Sequence, residues 1–427
     1  MADEITDVTR SLHDKFKKRD YIMYLVPVYS GGLTMRKGKI IIGMNRREFL
    51  KAGVIGTTSA LLANNALAEA AQHYAATGPF VYPDPIYRTL GRTGMKITVI
   101  SFGAMLTPEP EVMRIAFEHG VNYVNTARAY MGGKNEEIVG KALKGLRNKV
   151  YVATKILKET NLKADIIRDV ETSLKTLGTD YIDVIQFDAN AGKDRVFMSE
   201  AREAFTKLKE RGKVRFCGVA THKNQTEVLN AMADDNSRFF DTALVGYNFK
   251  SEKELADAIA RAAKSGVGII AMKTQAGGYA TEALGKISPH QAALKWVLQN
   301  PNVSAAVPGM KDLAEFKDNI AVMGMPFKFS DRRILERYSQ AIESYYCRLC
   351  GTCEGSCPQG VEISSINRSL MYAEGAYKNH ELALATYHEI PASARATACL
   401  DCSRCIAICA KGLTISEKMG RARRLLG

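Results

Sequence analysis

Eight of the nine cysteines in this 427-residue chain fall in two runs near its C-terminus. Cys347, Cys350, Cys353 and Cys357 follow the spacing C-x2-C-x2-C-x3-C and lead into Pro358. Cys399, Cys402, Cys405 and Cys409 repeat that spacing and lead into Ala410. The pattern binds cubane 4Fe-4S clusters, because three thiolates on one tight turn cap three irons of a cube. The fourth iron needs a thiolate from elsewhere, so each run is expected to lend its last cysteine to the other. The expected sets are Cys347, Cys350, Cys353 and Cys409 for one cluster, and Cys399, Cys402, Cys405 and Cys357 for the second. Zinc sites pair two C-x2-C knuckles and leave a triply repeated spacing unexplained. A chain able to build a sizeable core needs no disulfide framework.

A chain of this length must place a larger unit ahead of the cysteines. From Tyr87 to about Met325, short β-branched runs alternate with amphipathic helical ones. The strands are read at Ile97–Ala104, Tyr123–Ala127, Val150–Lys155, Ile182–Asp188, Arg215–Thr221, Thr242–Asn248, Gly268–Thr274 and Ala305–Gly309. Helices are expected between them at Asn135–Leu146, Ala164–Leu177, Ala201–Glu210, Glu252–Lys264 and Pro289–Leu298. Eight such units in about 240 residues are the size of an α/β (β/α)8 TIM barrel, whose active site lies at the C-terminal strand ends. No Gly-x-Gly-x-x-Gly follows the first strand, which disfavours a doubly wound open sheet. Between the cysteine runs, Ile363–Glu374 and His380–Glu389 read as helices.

Several stretches resemble the aldo-keto reductase family. They include Tyr87-Arg88-Thr89-Leu90-Gly91-Arg92-Thr93-Gly94, Gly120-Val121-Asn122-Tyr123-Val124-Asn125-Thr126-Ala127, Tyr181-Ile182-Asp183-Val184-Ile185-Gln186 and Val307-Pro308-Gly309. The resemblance runs from about residue 86 to 325. The segment after it resembles the helical ferredoxin modules of membrane-linked dehydrogenases. The expected organisation is an upstream segment at 1–43, an export signal at 44–68, a linker at 69–85, a barrel at 86–328 and a mainly helical ferredoxin-like domain at 329–427.

The aldo-keto reductase resemblance implies a catalytic tyrosine, a lysine that lowers its pKa, an aspartate paired with the lysine, and a histidine that orients the carbonyl. Tyr130 and Lys155 fall at the first two positions, whereas Asn125 stands at the aspartate position and Asp188 at the histidine position. Lys155 therefore lacks its usual counter-ion, and a pair with Asp188 would keep the ammonium charged. A carboxylate in place of an imidazole repels a developing alkoxide, so ordinary ketone reduction is expected to be weak. His222 is a candidate substitute imidazole, and Lys273 is a further charged group at the active face. For the nicotinamide cofactor, NAD or NADP, the resemblance points to Thr221 and Asn248 at the carboxamide and to Gly309, Lys311, Asp318 and Asn319 near the phosphates. Glu315 stands where an arginine often meets the 2′-phosphate, which favours NAD unless Lys311 compensates. Cys217, inside the fifth strand, reads as a small buried side chain.

Hydrophobic residues make up 46% and charged residues 24% of the chain, as in an ordinary globular protein. The net charge of +14 includes +5 from residues 1–68, with 11 Lys and Arg against 6 Asp and Glu, and the rest forms no long basic run, so no nucleic-acid partner is expected. Asn45-Arg46-Arg47-Glu48-Phe49-Leu50-Lys51 resembles a twin-arginine export signal. The uncharged stretch Ala52–Ala68 follows it and ends in the small-residue site Ala66-Leu67-Ala68. Met35 and Met44 are both candidate starts, and residues 1–43 are expected to have no function. These features imply passage through the twin-arginine machinery and an extracytoplasmic, periplasmic location. The expected function is an iron-sulfur oxidoreductase whose barrel converts a small carbonyl or alcohol substrate while the clusters exchange electrons with a redox partner protein. The alternative is a catalytically degenerate barrel that serves as a docking scaffold for the electron-transfer module.

Overall fold

The computed structural model describes residues 80–279 and 288–427, with three short strands upstream at Met23–Tyr24, Leu33–Arg36 and Lys39–Ile42. These three strands form a small mixed sheet within the unit Met1–Phe80. The export signal expected at 44–68 lies outside the described residues, as does the linker up to residue 79.

The second unit, Val81–Gly427, contains the barrel and the cysteine-rich region. Among the described residues eight parallel strands pair in chain order. They are β1 (Phe102–Gly103), β2 (Tyr123–Asn125), β3 (Tyr151–Lys155), β4 (Ile182–Asp188), β5 (Val214–Thr221), β6 (Thr242–Gly246), β7 (Gly268–Met272) and β8 (Ala305–Ala306). Parallel bridges from Ile100 to Ala306 and from Gly103 to Gly309 join the first strand to the last and close the sheet. Helices α1 (Pro110–Glu118), α2 (Asn135–Ala142), α3 (Lys163–Leu177), α4 (Ser199–Glu210), α5 (Gln225–Asp234), α6 (Lys253–Lys264), α7 (His290–Leu298) and α8 (Leu313–Ile320) surround it. Strands covered on both faces must be apolar along their whole length, and every residue of β7 is buried. The fold is the (β/α)8 barrel expected from the sequence.

One expected element divides. Ile97–Ala104 was read as a single strand, but Lys96–Thr98 pairs with Tyr87–Thr89 in an antiparallel hairpin, and β1 begins only at Phe102. The Ser101 hydroxyl turns back to Thr98 O at 2.7 Å and marks the break. The hairpin plugs the bottom of the barrel, where Leu90, Met95 and Ile97 join Tyr123, Leu244 and Ile270 in the interior. At its tip Gly91 has φ +49°, and a Cβ there would lie 2.3 Å from the Gly268 nitrogen. Only glycine fits both the conformation and the space.

The cysteine-rich domain covers the opposite end. Its helices are α9 (Phe329–Ala341), α10 (Ile363–Glu374), α11 (His380–His388) and α12 (Ile415–Leu426). Tyr338, Ile366, Leu370, Tyr387 and Met419 pack in one apolar core with Ala276 and Tyr279 of the loop after β7. Lys158 pairs with Glu389 at 3.4 Å, Lys223 with Glu354 at 3.2 Å and Lys411 with Glu252 at 2.6 Å across the same boundary. Such partly exposed pairs contribute only about 0–1 kcal/mol each, so the shared apolar core dominates the docking. No helix among the described residues is long and apolar enough to cross a membrane.

Candidate active site and cysteine centres

The docked domain turns the open mouth of the barrel into a cavity of about 540 Å³. Its barrel wall includes Asn125, Tyr130, His222, Lys273 and Gly309, and its roof includes Arg368, Tyr372, Tyr377 and Glu389 from the cysteine-rich domain. The volume suits a small organic molecule together with part of a larger cofactor.

At the floor, Lys155 Nζ donates to Asn125 Oδ1 at 2.6 Å and to the Thr126 carbonyl at 2.9 Å. Asn125 in turn donates to Gln186 Oε1 at 2.9 Å, which fixes the amide so that its oxygen faces the lysine. The expected pair between Lys155 and Asp188 does not form. Asp188 instead accepts from the backbone and side-chain nitrogens of Asn190 at 3.1 and 2.5 Å, a local turn that holds it away from the lysine. With only neutral acceptors, burial pushes Lys155 down to about 7, and the charge of Lys273 adds to this against Glu136. Lys155 lies 4.8 Å from the ring centre of Tyr130. Burial, with Tyr372 adding to it, pushes the Tyr130 phenol well up.

Two other expected contacts are engaged elsewhere. The Thr221 hydroxyl donates to the Lys223 carbonyl. Asn248 Nδ2 donates to the Lys273 carbonyl at 2.9 Å and to the Tyr346 hydroxyl at 2.8 Å, so it braces the cysteine-rich domain. Neither side chain lines the cavity. Gly309, Lys311, Glu315, Asp318 and Asn319 do line it. Lys311 is tied to Glu315 at 2.9 Å, and its backbone nitrogen donates to the same carboxylate at 2.8 Å, so it brings no free cation to a 2′-phosphate. Asn319 accepts from Gln275 Nε2 at 3.0 Å, and Asp318 accepts from Gln291 Nε2 at the same distance.

His222 borders the cavity with its Nδ1 buried and unpartnered by protein. Burial, then the charges of Arg368, Lys273 and Lys155, hold its pKa well below the ordinary histidine value, which leaves a neutral imidazole. Cys217 is fully buried, and burial pushes its thiol up to about 12. The sequence reading missed the roof residues. Arg368, Tyr372 and Tyr377 lie on the segment between the cysteine runs, and no local pattern marks them as facing a barrel. At most, two aromatic residues and an arginine around a helix end at Glu374 could have drawn notice.

The thiols group in the crossed manner that reach demands. Cys350, Cys353 and Cys409 act electrostatically on Cys347, while Cys357, Cys402 and Cys405 act on Cys399. A recess lined by Cys347, Cys350, Cys353 and Cys409 lies against Asn367 and Ile415. Burial pushes the Cys347 thiol up to about 12 and the Cys353 thiol up to about 11. Backbone nitrogens of Leu349 and Lys411 donate to Cys347 and Cys409 sulfur at 3.4 Å, the kind of contact that tunes cluster potential.

Residues 107–283 match the Aldo/keto reductase family, and residues 346–414 match a 4Fe-4S dicluster domain. The chain therefore joins a barrel of the aldo-keto reductase fold to a segment that matches a 4Fe-4S dicluster domain. It is 28% identical over 282 residues to L-galactose dehydrogenase of Arabidopsis thaliana, covering 55% of this chain and 87% of that protein. It is 37% identical to the aldo-keto reductase YhdN of Bacillus subtilis over 135 residues, which are 29% of this chain and 40% of that protein. Aldo-keto reductase AKR11C1 from Bacillus halodurans in its holo form superposes with a TM-score of 0.52 at 24% identity, over 59% of this chain and 96% of that one. An aldo/keto reductase from Klebsiella pneumoniae in complex with NADP and acetate gives a TM-score of 0.50 at 24% identity, over 60% and 95%.

Proposed function

We propose that the protein is an exported oxidoreductase that couples a small carbonyl or alcohol substrate in the barrel cavity to one-electron transfer through two 4Fe-4S clusters. The observation behind this reading is that the iron-sulfur domain forms the roof of the barrel's active-site cavity. Cys347, Cys350, Cys353 and Cys409 hold one cluster, and Cys399, Cys402, Cys405 and Cys357 the other. The cluster near Cys347 adjoins Tyr346, and Tyr346, Asn248 and the Lys273 backbone form a hydrogen-bonded link to the cavity wall.

A nicotinamide dinucleotide would lie along Gly309 and the start of α8, where backbone N–H groups and the helix dipole attract phosphate. It supplies or accepts a hydride. Glu315 and Asp318 at the mouth, with Lys311 already paired, favour NAD over NADP. His222 presents a neutral imidazole able to hydrogen-bond a carbonyl oxygen, the role for which Asp188 is unsuited. Because Lys155 loses its charge above about pH 7, it holds a Tyr130 phenolate poorly in neutral solution. The twin-arginine segment takes the folded, cluster-loaded chain across a membrane to its redox partner.

Anaerobic titration of the cluster-loaded protein with NADH, and separately with NADPH, tests the coupling. Bleaching of the cluster absorption by NADH in preference to NADPH is expected. If dithionite bleaches the clusters and neither dinucleotide does, the coupling fails and the docking-scaffold reading replaces it.

A further inference from the structure

Lys273 lies just beyond the end of β7 with φ +55°, a left-handed conformation that strains a non-glycine residue. The strained backbone delivers its ammonium to the roof. Lys273 Nζ donates to the Tyr372 hydroxyl at 2.7 Å and to the Tyr377 hydroxyl at 3.4 Å. It also lies 4.2 Å from the centre of the Tyr372 ring and 5.1 Å from that of Tyr377. All three residues line the cavity. Among the described residues Lys273 forms no ion pair with a carboxylate, so the two phenols are its partners in place of a carboxylate. An ammonium buried merely to hold two domains together is poorly served by neutral hydroxyls.

The pair expected to do acid-base work lacks this hydrogen bond. Lys155 is bonded to Asn125 and Thr126, and no hydrogen bond joins it to the Tyr130 hydroxyl among the described residues. The lysine and tyrosine that are hydrogen-bonded and line the cavity are instead Lys273 and Tyr372.

We propose that Tyr372, carried into the barrel mouth by the iron-sulfur domain and hydrogen-bonded to Lys273, is the residue that exchanges a proton with the substrate oxygen. This rests on the reading of the cavity as the substrate site. In the oxidising direction the Tyr372 phenolate takes the hydroxyl proton of an alcohol. The carbon–hydrogen bond then breaks, its electron pair leaves as hydride to the dinucleotide, and a carbonyl remains. In the reducing direction the phenol gives that proton to the carbonyl oxygen as the carbon accepts hydride, and the Lys273 ammonium holds the phenolate left behind.

The surrounding charges agree with the geometry. Burial alone would raise the Tyr372 phenol, but Lys273 and Arg368 outweigh it against an opposing Glu389, and the net shift is downward. Burial likewise opposes the Lys273 ammonium, and Tyr372 with Tyr377 outweighs it, so that lysine stays charged. Tyr377 moves upward because burial dominates there. Tyr130, His222 and Lys155 also face this group, and each is shifted toward its neutral form. Tyr372 is thus the phenol in the cavity that ionises first as pH rises.

The test compares cluster-loaded full-length parent with Tyr372→Phe, Tyr130→Phe, Lys273→Met and Lys273→Arg. The first readout is the ultraviolet difference titration of tyrosinate at a fixed cluster redox state. One phenol should ionise below the ordinary tyrosine value of about 10 in the parent, Tyr130→Phe and Lys273→Arg. It should be missing in Tyr372→Phe and Lys273→Met. No early phenol in the parent, or one lost in Tyr130→Phe and kept in Tyr372→Phe, overturns the assignment. If Tyr372→Phe fails to assemble clusters, the Lys273→Met, Lys273→Arg and Tyr130→Phe titrations decide it. The second readout is NADH-dependent reduction of benzaldehyde, which should fall about 100-fold or more in Tyr372→Phe and little in Tyr130→Phe. The reverse order overturns the proposal, and the titration decides alone if the parent does not reduce this aldehyde. Failure of the dinucleotide to bleach the clusters, with the early phenol present, removes the nicotinamide reading and leaves the acid-base assignment standing.

Discussion

Asn125 gives the barrel lysine a neutral partner. Its amide oxygen accepts from Lys155 at 2.6 Å but brings no negative charge, so burial decides the outcome and the lysine falls to about 7. The sign is definite: below about pH 7 the group is an ammonium, and above it a neutral, nucleophilic amine. Trace acetylation of Lys155 as a function of pH, followed by peptide mass spectrometry, should therefore show a midpoint near 7 in the parent. Asn125→Asp restores a carboxylate at hydrogen-bond distance and should raise that midpoint by about one to three units. An unchanged midpoint would mean that Asn125 does not control the charge. At this scale the residue types at positions 125, 130, 155 and 188 were legible in the sequence. Their partners were not, because the turn by which Asn190 captures Asp188 competes with a pairing that residue identity alone favours.

Between the elements, the decisive contact is that of the turn after α10 with the loop after β7. Ala376 N donates to the Gly277 carbonyl at 2.9 Å. A Cβ on Gly375 would come within 2.4 Å of that same carbonyl oxygen. Backbone stands on both sides, so no flexible side chain can yield. Gly375→Ala should cost about 1–3 kcal/mol and lower the temperature at which the cluster absorption is lost on heating. A parent-like transition would show that the two elements do not bear on each other closely. The strands and helices themselves follow from hydrophobic periodicity, which is a local property, and α10 begins and ends where that periodicity predicts. The division of the first strand escaped the sequence because residues 97–104 run on without a turn signal, β-branched at Ile97, Thr98, Val99 and Ile100 and continuing directly into β1. Only the hairpin partner at Tyr87–Thr89 separates them.

For the whole molecule, the covered mouth means that the cavity and both cysteine runs belong to one folded unit. Under the export proposed above, such a unit would be assembled and loaded before it crosses a membrane. Replacing both Arg46 and Arg47 by Lys should leave cluster-loaded precursor in the cytoplasm, measured by fractionation and iron content. Undiminished export would remove the twin-arginine route. What the sequence determined alone was the barrel and a cysteine spacing that matches a 4Fe-4S dicluster domain, since three cysteines on a turn and alternating strands and helices are each encoded within a few tens of residues. The tertiary structure alone decided who meets in the cavity. Lys273 and Tyr372 stand 99 positions apart, and Asn248 and Tyr346 stand 98 apart. Each pair exists only because an apolar core shared by Tyr279, Tyr338 and Leu370 docks the iron-sulfur domain on the strand ends. Burial beneath it neutralises Lys155 and raises Tyr130, whereas Lys273 and Tyr372 offset it for each other.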